Sequence, residues 1–276
     1  ALYTIQNLES HNRSCAIQYE GIQLSSRQFI KRILCIGQHL RNQGVCIEDV
    51  VATQISSPID TLASSLAIGL IGATVLIRPT TTPKEKLWEW DRPVNTKWLL
   101  HDLDNLEKEE AKHTCIKLED LPDQTCINAE SIAIHNPYAP WLIATGSGST
   151  GKPKLMPISH LQQIERCKTA KTWAPYTSED IFASLVAFNF YTGTSRILEC
   201  FAIGAKVTLI ENNNKDFSTN SKEVTCIFAT PFHLRQLLKI KKTNSDLLPN
   251  LTYAIVAGDL VSKELRREAQ KKLCKK

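Results

Sequence analysis

Residues 146–154 read GSGSTGKPK, directly after the apolar run WLIAT at 141–145. Three glycines, three hydroxyl side chains and two lysines share those nine positions. A loop of this kind folds its backbone N–H groups around an anion, with glycine permitting close approach and positive φ. The hydroxyls add donors and the lysines add charge, so the chemistry it suits is polyphosphate binding. The hydrolase-type signature G-x-x-x-x-G-K-[ST] fits as far as Lys152 and then fails. Pro153 has no hydroxyl to offer a metal ion, and its ring restrains Lys152 toward extended backbone. Pro157 repeats the restraint, so a helix is not expected to begin before Ser159. The loop is expected to be a hairpin-like flap. The plain alternative is a mobile surface turn rich in Gly and Ser.

The segments around this loop alternate between the two periodicities that mark strands and helices. CAIQY (15–19) reads as a strand, and a helix runs to about Asn42 with Phe29, Ile33, Ile36 and Leu40 on one stripe. VVATQI (50–55) is a strand, Pro58 opens a small-residue helix to about Leu70, and GATVLI (72–77) is the next strand. KWLLHD (97–102) reads as a strand and AIHNPYAP (133–140) as a linker. Beyond the loop, Ser159 is placed to cap a helix to about Lys171. Strands are then expected at 181–187, 205–210, 224–229 and from Thr252 to about Val256, with helices at 194–203, 232–240 and 262–273. This rhythm implies an α/β fold of mostly parallel sheets flanked by helices.

Composition excludes several classes. Hydrophobic residues are 42% and charged residues 22% of the 276, ordinary for a globular chain. No apolar run is long enough to span a bilayer. The opening ALYTIQNLESHNRS is too polar for a secretory signal. Nine cysteines occur with no Cys-x-x-Cys pair, and they read as free thiols in a reducing cytoplasm. The net charge of +5 resides entirely in residues 262–276, which hold seven basic and two acidic side chains. That concentration reads as a solvated helix face and not as a nucleic-acid footprint spread over the fold.

SGSTGKPK (147–154) also resembles the phosphate-loop signature of the adenylate-forming superfamily: acyl-CoA synthetases, beetle luciferases and the adenylation domains of non-ribosomal peptide synthetases. Ser147, Gly148, Ser149, Thr150, Gly151, Pro153 and Lys154 fall in place, and Ser159-His160 fits the Ser/Thr-His pair that follows. Leu155 departs, because the family usually carries Gly there. IGATVLIRP, GAKVTLIE, CIFATPFHLRQLL and LPNLTYAIVAGDLVSKEL resemble further segments of the same family.

The resemblance implies a two-step reaction in which a carboxylate attacks the α-phosphorus of ATP, and a thiol of CoA or of a pantetheinyl carrier protein then takes the acyl group. Lys154 and Thr150 are implied as catalytic, with Ser149, Thr150 and Lys154 on the β- and γ-phosphates and Mg²⁺ helping to neutralise them. Lys152 sits at a variable position. Ser147, Gly148 and Gly151 complete the loop. Gly258 and Asp259 are implied along the adenine; a strand-to-helix turn is their plain reading. Phe188, Asn189, Phe190 and Gly193, in VAFNFYTG, are implied in the acyl pocket, with Phe190 where many acyl-CoA synthetases carry His; core packing is the competing reading. The resemblance also implies an incomplete large N-terminal domain of two α/β lobes, divided near 160–180, with the mobile C-terminal domain absent. Its Tyr-Gly-x-Thr-Glu stretch, ribose-holding Asp and catalytic Lys have no counterpart. A degenerate or truncated nucleotide-binding relative without catalysis is the alternative.

Overall fold

The computed structural model describes residues 1–78, 94–102, 113–118, 129, 136–146, 154–187, 190–210 and 222–274. The elements in chain order begin with α1 (Leu2–His11), β1 (Ile17–Tyr19), β2 (Ile22–Leu24), α2 (Ser26–Asn42), β3 (Val50–Gln54), α3 (Pro58–Leu70) and β4 (Thr74–Ile77). There follow β5 (Trp98–His101), β6 (Thr114–Lys117), β7 (Pro140–Gly146), β8 (Lys154–Ser159) and α4 (His160–Trp173). The last are β9 (Ile181–Ser184), α5 (Tyr191–Ile203), β10 (Lys206–Leu209), β11 (Cys226–Ala229), α6 (Pro231–Thr243), β12 (Tyr253–Val256) and α7 (Lys263–Lys272).

The chain forms two compact units. Residues 1–6, 27–166 and 188–191 make the first, and residues 7–26, 167–187 and 192–276 the second. The long division falls between Arg166 and Cys167, inside α4.

The first unit is built on a sheet of order β6-β5-β3-β4-β7-β8. All pairs are parallel except β7 with β8. Strand β4 is buried along its whole length, which is why it reads as an apolar run without alternation, and α3 is buried nearly all round by small and apolar side chains. The start of α3 is set locally: Ser57 accepts the Asp60 N–H and Pro58 supplies a helical φ at the first position.

The second unit is built on a sheet of order β12-β11-β9-β10-β1-β2, parallel except for the β1–β2 hairpin. Helices α6 and α7 lie over one core with the sheet. Leu234, Leu237 and Leu238 of α6 meet Leu265 and Ala269 of α7 above Ala183, Ile227 and Ala229.

Strand β8 was not named from the sequence, where a hairpin-like flap and no helix before Ser159 were expected. Pro157 is tolerated because β8 is an edge strand, where a missing N–H breaks no inner ladder. Helix α5 begins at Tyr191, three residues before its expected start. Helix α1 and strands β2 and β6 were not expected at all. WEWD (88–91) and most of 105–113 and 212–223 lie outside the described residues.

Candidate functional site

Strand β7 carries the buried residues Trp141 to Thr145 between β4 and β8. Gly146 at its end pairs with Lys154 at the start of β8, and Thr145 pairs with Leu155. Residues 147–153 therefore connect the two paired ends of an antiparallel stem. Leu155, where the resemblance leads one to expect Gly, is a half-buried member of that stem. Lys154 is exposed at the stem's mouth. Ser147, Gly148, Ser149, Thr150 and Gly151 lie outside the described residues, as do Phe188 and Asn189. The helix after the stem starts at His160, where Ser159 Oγ accepts the Gln162 N–H at 3.2 Å and Gln162 Oε1 accepts the Ser159 N–H at 2.8 Å.

Sequence reasoning passed over Arg78. Strands β4 and β7 pair in parallel through Val75–Leu142 and Leu76–Ile143, so Arg78 stands level with the root of the hairpin. Its side chain is buried, its Nη1 donates to Gln54 Oε1 at 3.4 Å, and its N–H donates to the Thr53 carbonyl at 3.1 Å. An arginine closing an apolar strand, just before a proline, was the available signal.

In the second unit the chain leaves β9 toward β10 on one side and leaves β11 toward β12 on the other. That reversal makes a crevice at the C-terminal ends of β9 and β11, the place where parallel α/β sheets bind ligands. Three connections leave the strands at that end: 185–187 after β9, Thr230 after β11 and Ala257–Asp259 after β12. Gly258 has φ +95°, a conformation that favours glycine, and a side chain added to it would stand 3.6 Å from Thr230 Cγ2. Gly258 and Asp259 are both exposed, and the Asp259 Oδ1 accepts the Leu260 N–H at 2.7 Å.

Thr230 was also missed. It caps α6: its Oγ1 accepts the His233 N–H at 3.4 Å, while its own N–H donates to His233 Nδ1 at 3.1 Å. That bond needs an unprotonated Nδ1, and burial lowers the pKa of His233 in the same sense.

Of the residues expected in the acyl pocket, Phe190 and Gly193 are described. Phe190 is exposed, whereas Gly193 is buried in α5. A methyl group at Gly193 would stand 2.6 Å from the Val186 carbonyl oxygen and 2.7 Å from that of Ala187. Close helix-to-backbone packing thus accounts for this glycine without any ligand. Cys200 and Cys226 are buried, and burial pushes both thiols up, so they stay protonated.

The family model described as "AMP-binding enzyme" matches residues 6–276. Bacitracin synthase 3 of Bacillus licheniformis is 24% identical over 94% of this chain, which spans 4% of that protein. Zwittermicin A synthase ZmaJ of Bacillus cereus is 22% identical over 91% of the chain, which spans 50% of it. Among solved structures, the NpsA N-terminal subdomain of Klebsiella oxytoca in complex with 3-hydroxybenzoyl-AMSN superposes with a TM-score of 0.81 at 19% identity. It covers 98% of this chain and 70% of its own. O-succinylbenzoate coenzyme A synthetase (MenE) of Bacillus subtilis, in complex with AMP, gives 0.83 at 18% identity, covering 98% and 56%. The two mostly parallel sheets flanked by helices are the fold that these structures share with the chain.

Proposed function

The chain belongs to the AMP-binding enzyme family, and from that premise we propose that it is the N-terminal portion of an AMP-forming carboxylate ligase. The reaction joins a carboxylic acid to AMP with release of pyrophosphate, and then passes the acyl group to a thiol of CoA or of a carrier protein. The observation that carries the reading is the β7–β8 stem. It sets an exposed lysine, Lys154, opposite Gly146 at the mouth of a loop of Gly, Ser and Thr. As the carboxylate oxygen bonds to the α-phosphorus, negative charge moves onto the leaving pyrophosphate. The Lys154 ammonium and the hydroxyls of Ser149 and Thr150 stabilise that charge where it develops. In the second unit, Gly258 offers backbone without a side chain, flanked by Thr230, along which the adenine lies.

ATP fits the residues present: a glycine with positive φ for the flat base and an exposed cation for the phosphates. Mg²⁺ supplies charge neutralisation when bound with those phosphates. No group of three His, Cys, Asp or Glu suited to a metal stands among the described residues, so no step is assigned through it. No helix among the described residues is long and apolar enough to cross a membrane.

Exchange of pyrophosphate into ATP, measured with a panel of carboxylic acids on the polypeptide as expressed from its natural gene, tests the reading. Exchange that requires one acid class is expected. Hydrolysis of ATP to ADP with no acid would overturn it.

A further inference from the structure

The parallel strands of the first unit end in a polar row. Lys117 pairs with His101, and His101 pairs with Gln54. Thr53 pairs with Ile77 and Leu76 with Ile143, so the same register sets Gln54 beside Arg78 and Arg78 beside Thr145. Residues side by side on parallel strands share a face of the sheet. One level of one face therefore carries Lys117, His101, Gln54, Arg78 and Thr145, across β6, β5, β3, β4 and β7. Two residues earlier the same face carries Cys115, Leu99, Ala52, Leu76 and Ile143. The face turns polar only at its C-terminal edge, and the row ends at Thr145, next to Gly146 where the phosphate hairpin leaves the stem.

Packing alone does not call for an arginine in this row. Arg78 is 2% exposed, and arginine is among the residues least often buried so deeply. Leu76, on the same strand and face, shows that an aliphatic chain fills such a position. The guanidinium adds what an aliphatic chain lacks, a permanent positive charge. Residue 78 is tied to β3 twice: Nη1 donates to Gln54 Oε1 at 3.4 Å, and the N–H donates to the Thr53 carbonyl at 3.1 Å. Its other neighbour is β7, one strand spacing of about 4.8 Å away. Asp102 follows His101 two strands off, where it accepts the Ser56 N–H at 2.7 Å and the Ser56 hydroxyl at 3.3 Å.

We propose that Arg78 is a positioning residue for the phosphates, an inference that rests on the ligase reading above. Its charge acts through β7 and raises the positive potential where Gly146 and Lys154 open the loop. Lys154 is exposed, so salt screens it; Arg78 is buried, so salt screens it far less. A cation fixed beside the place where charge collects on the leaving pyrophosphate needs no rearrangement as the reaction proceeds. The effect falls on the β- and γ-phosphates of ATP and spares AMP, which lacks them.

Fluorescent analogues of ATP and of AMP, titrated into the 276-residue chain, test this role. Arg78→Gln should weaken the ATP analogue about tenfold and the AMP analogue about twofold or less. Arg78→Lys keeps the charge and should bind the ATP analogue within about threefold of wild type. The loss in Arg78→Gln should persist in a few hundred millimolar salt, where the loss in Lys154→Ala shrinks. Equal losses for the two nucleotides, undiminished ATP binding by Arg78→Gln, or a lysine variant as weak as the glutamine one would overturn the proposal and leave the ligase reading in place. A wild-type chain that binds neither analogue would overturn both.

Discussion

Two glycines reveal different constraints. Gly193 faces backbone carbonyl oxygens that cannot swing aside. Gly193→Ala should therefore lower stability by about 1–3 kcal/mol, read as a shift in urea midpoint. At Gly258 an added methyl would meet Thr230 Cγ2 at an ordinary contact distance of 3.6 Å and the conformation is the obstacle, so Gly258→Ala should cost about 1–2 kcal/mol of backbone strain. His160 gives a pH signature. Burial lowers its pKa to about 3. An unfolded histidine titrates near 6.5. The folded chain thus refuses a proton that the unfolded chain accepts across that window. This contribution is fully present above about pH 6.5 and is lost as the pH falls toward 3. Urea midpoints taken from pH 7 down to pH 5 should fall for wild type and fall less for His160→Gln. Equal slopes would refute the assignment.

At the scale of elements, legibility followed the locality of the cause. Helix α3 was read to its ends because Pro58 and a run of small and apolar residues specify it within the segment itself. Strand β8 was not, because KLMPIS has two prolines nearby and an exposed face, and only pairing with β7 makes it a strand. Arg78 and Thr230 were not singled out, although both lie in segments that carry the resemblance, because strand register and sheet order give them their places. Helix α5 holds a buried ion pair that no periodicity announces. Arg196 Nη1 meets the fully buried Glu199 Oε2 at 2.6 Å, and the guanidinium stacks 4.6 Å from the Trp173 ring. Arg196→Met should cost about 3–5 kcal/mol by leaving the carboxylate uncompensated. The double variant R196M/E199L should regain most of that in the same denaturation assay. A double variant as unstable as the single one would show that the pair itself, and not the stranded charge, stabilises α5.

For the whole molecule, two units are each built on a mostly parallel sheet; the residues proposed for the phosphates belong to the first and those proposed for the adenine to the second. The fold was legible because alternating segments of strand and helix period admit few topologies. The chemistry was legible through a short motif, and much of that motif lies outside the described residues. The account therefore turns on Lys154 as the working lysine, against Lys152, which a hydrolase-type loop would use. Titration of the 276-residue chain with a fluorescent ATP analogue, in wild type, Lys154→Ala and Lys152→Ala, tests this most directly. Saturable binding is expected, with Lys154→Ala weakening it about tenfold and Lys152→Ala by about twofold or less, as befits a charge-assisted contact set against a solvated one. Absence of nucleotide binding, or a loss that falls on Lys152, would contradict the account.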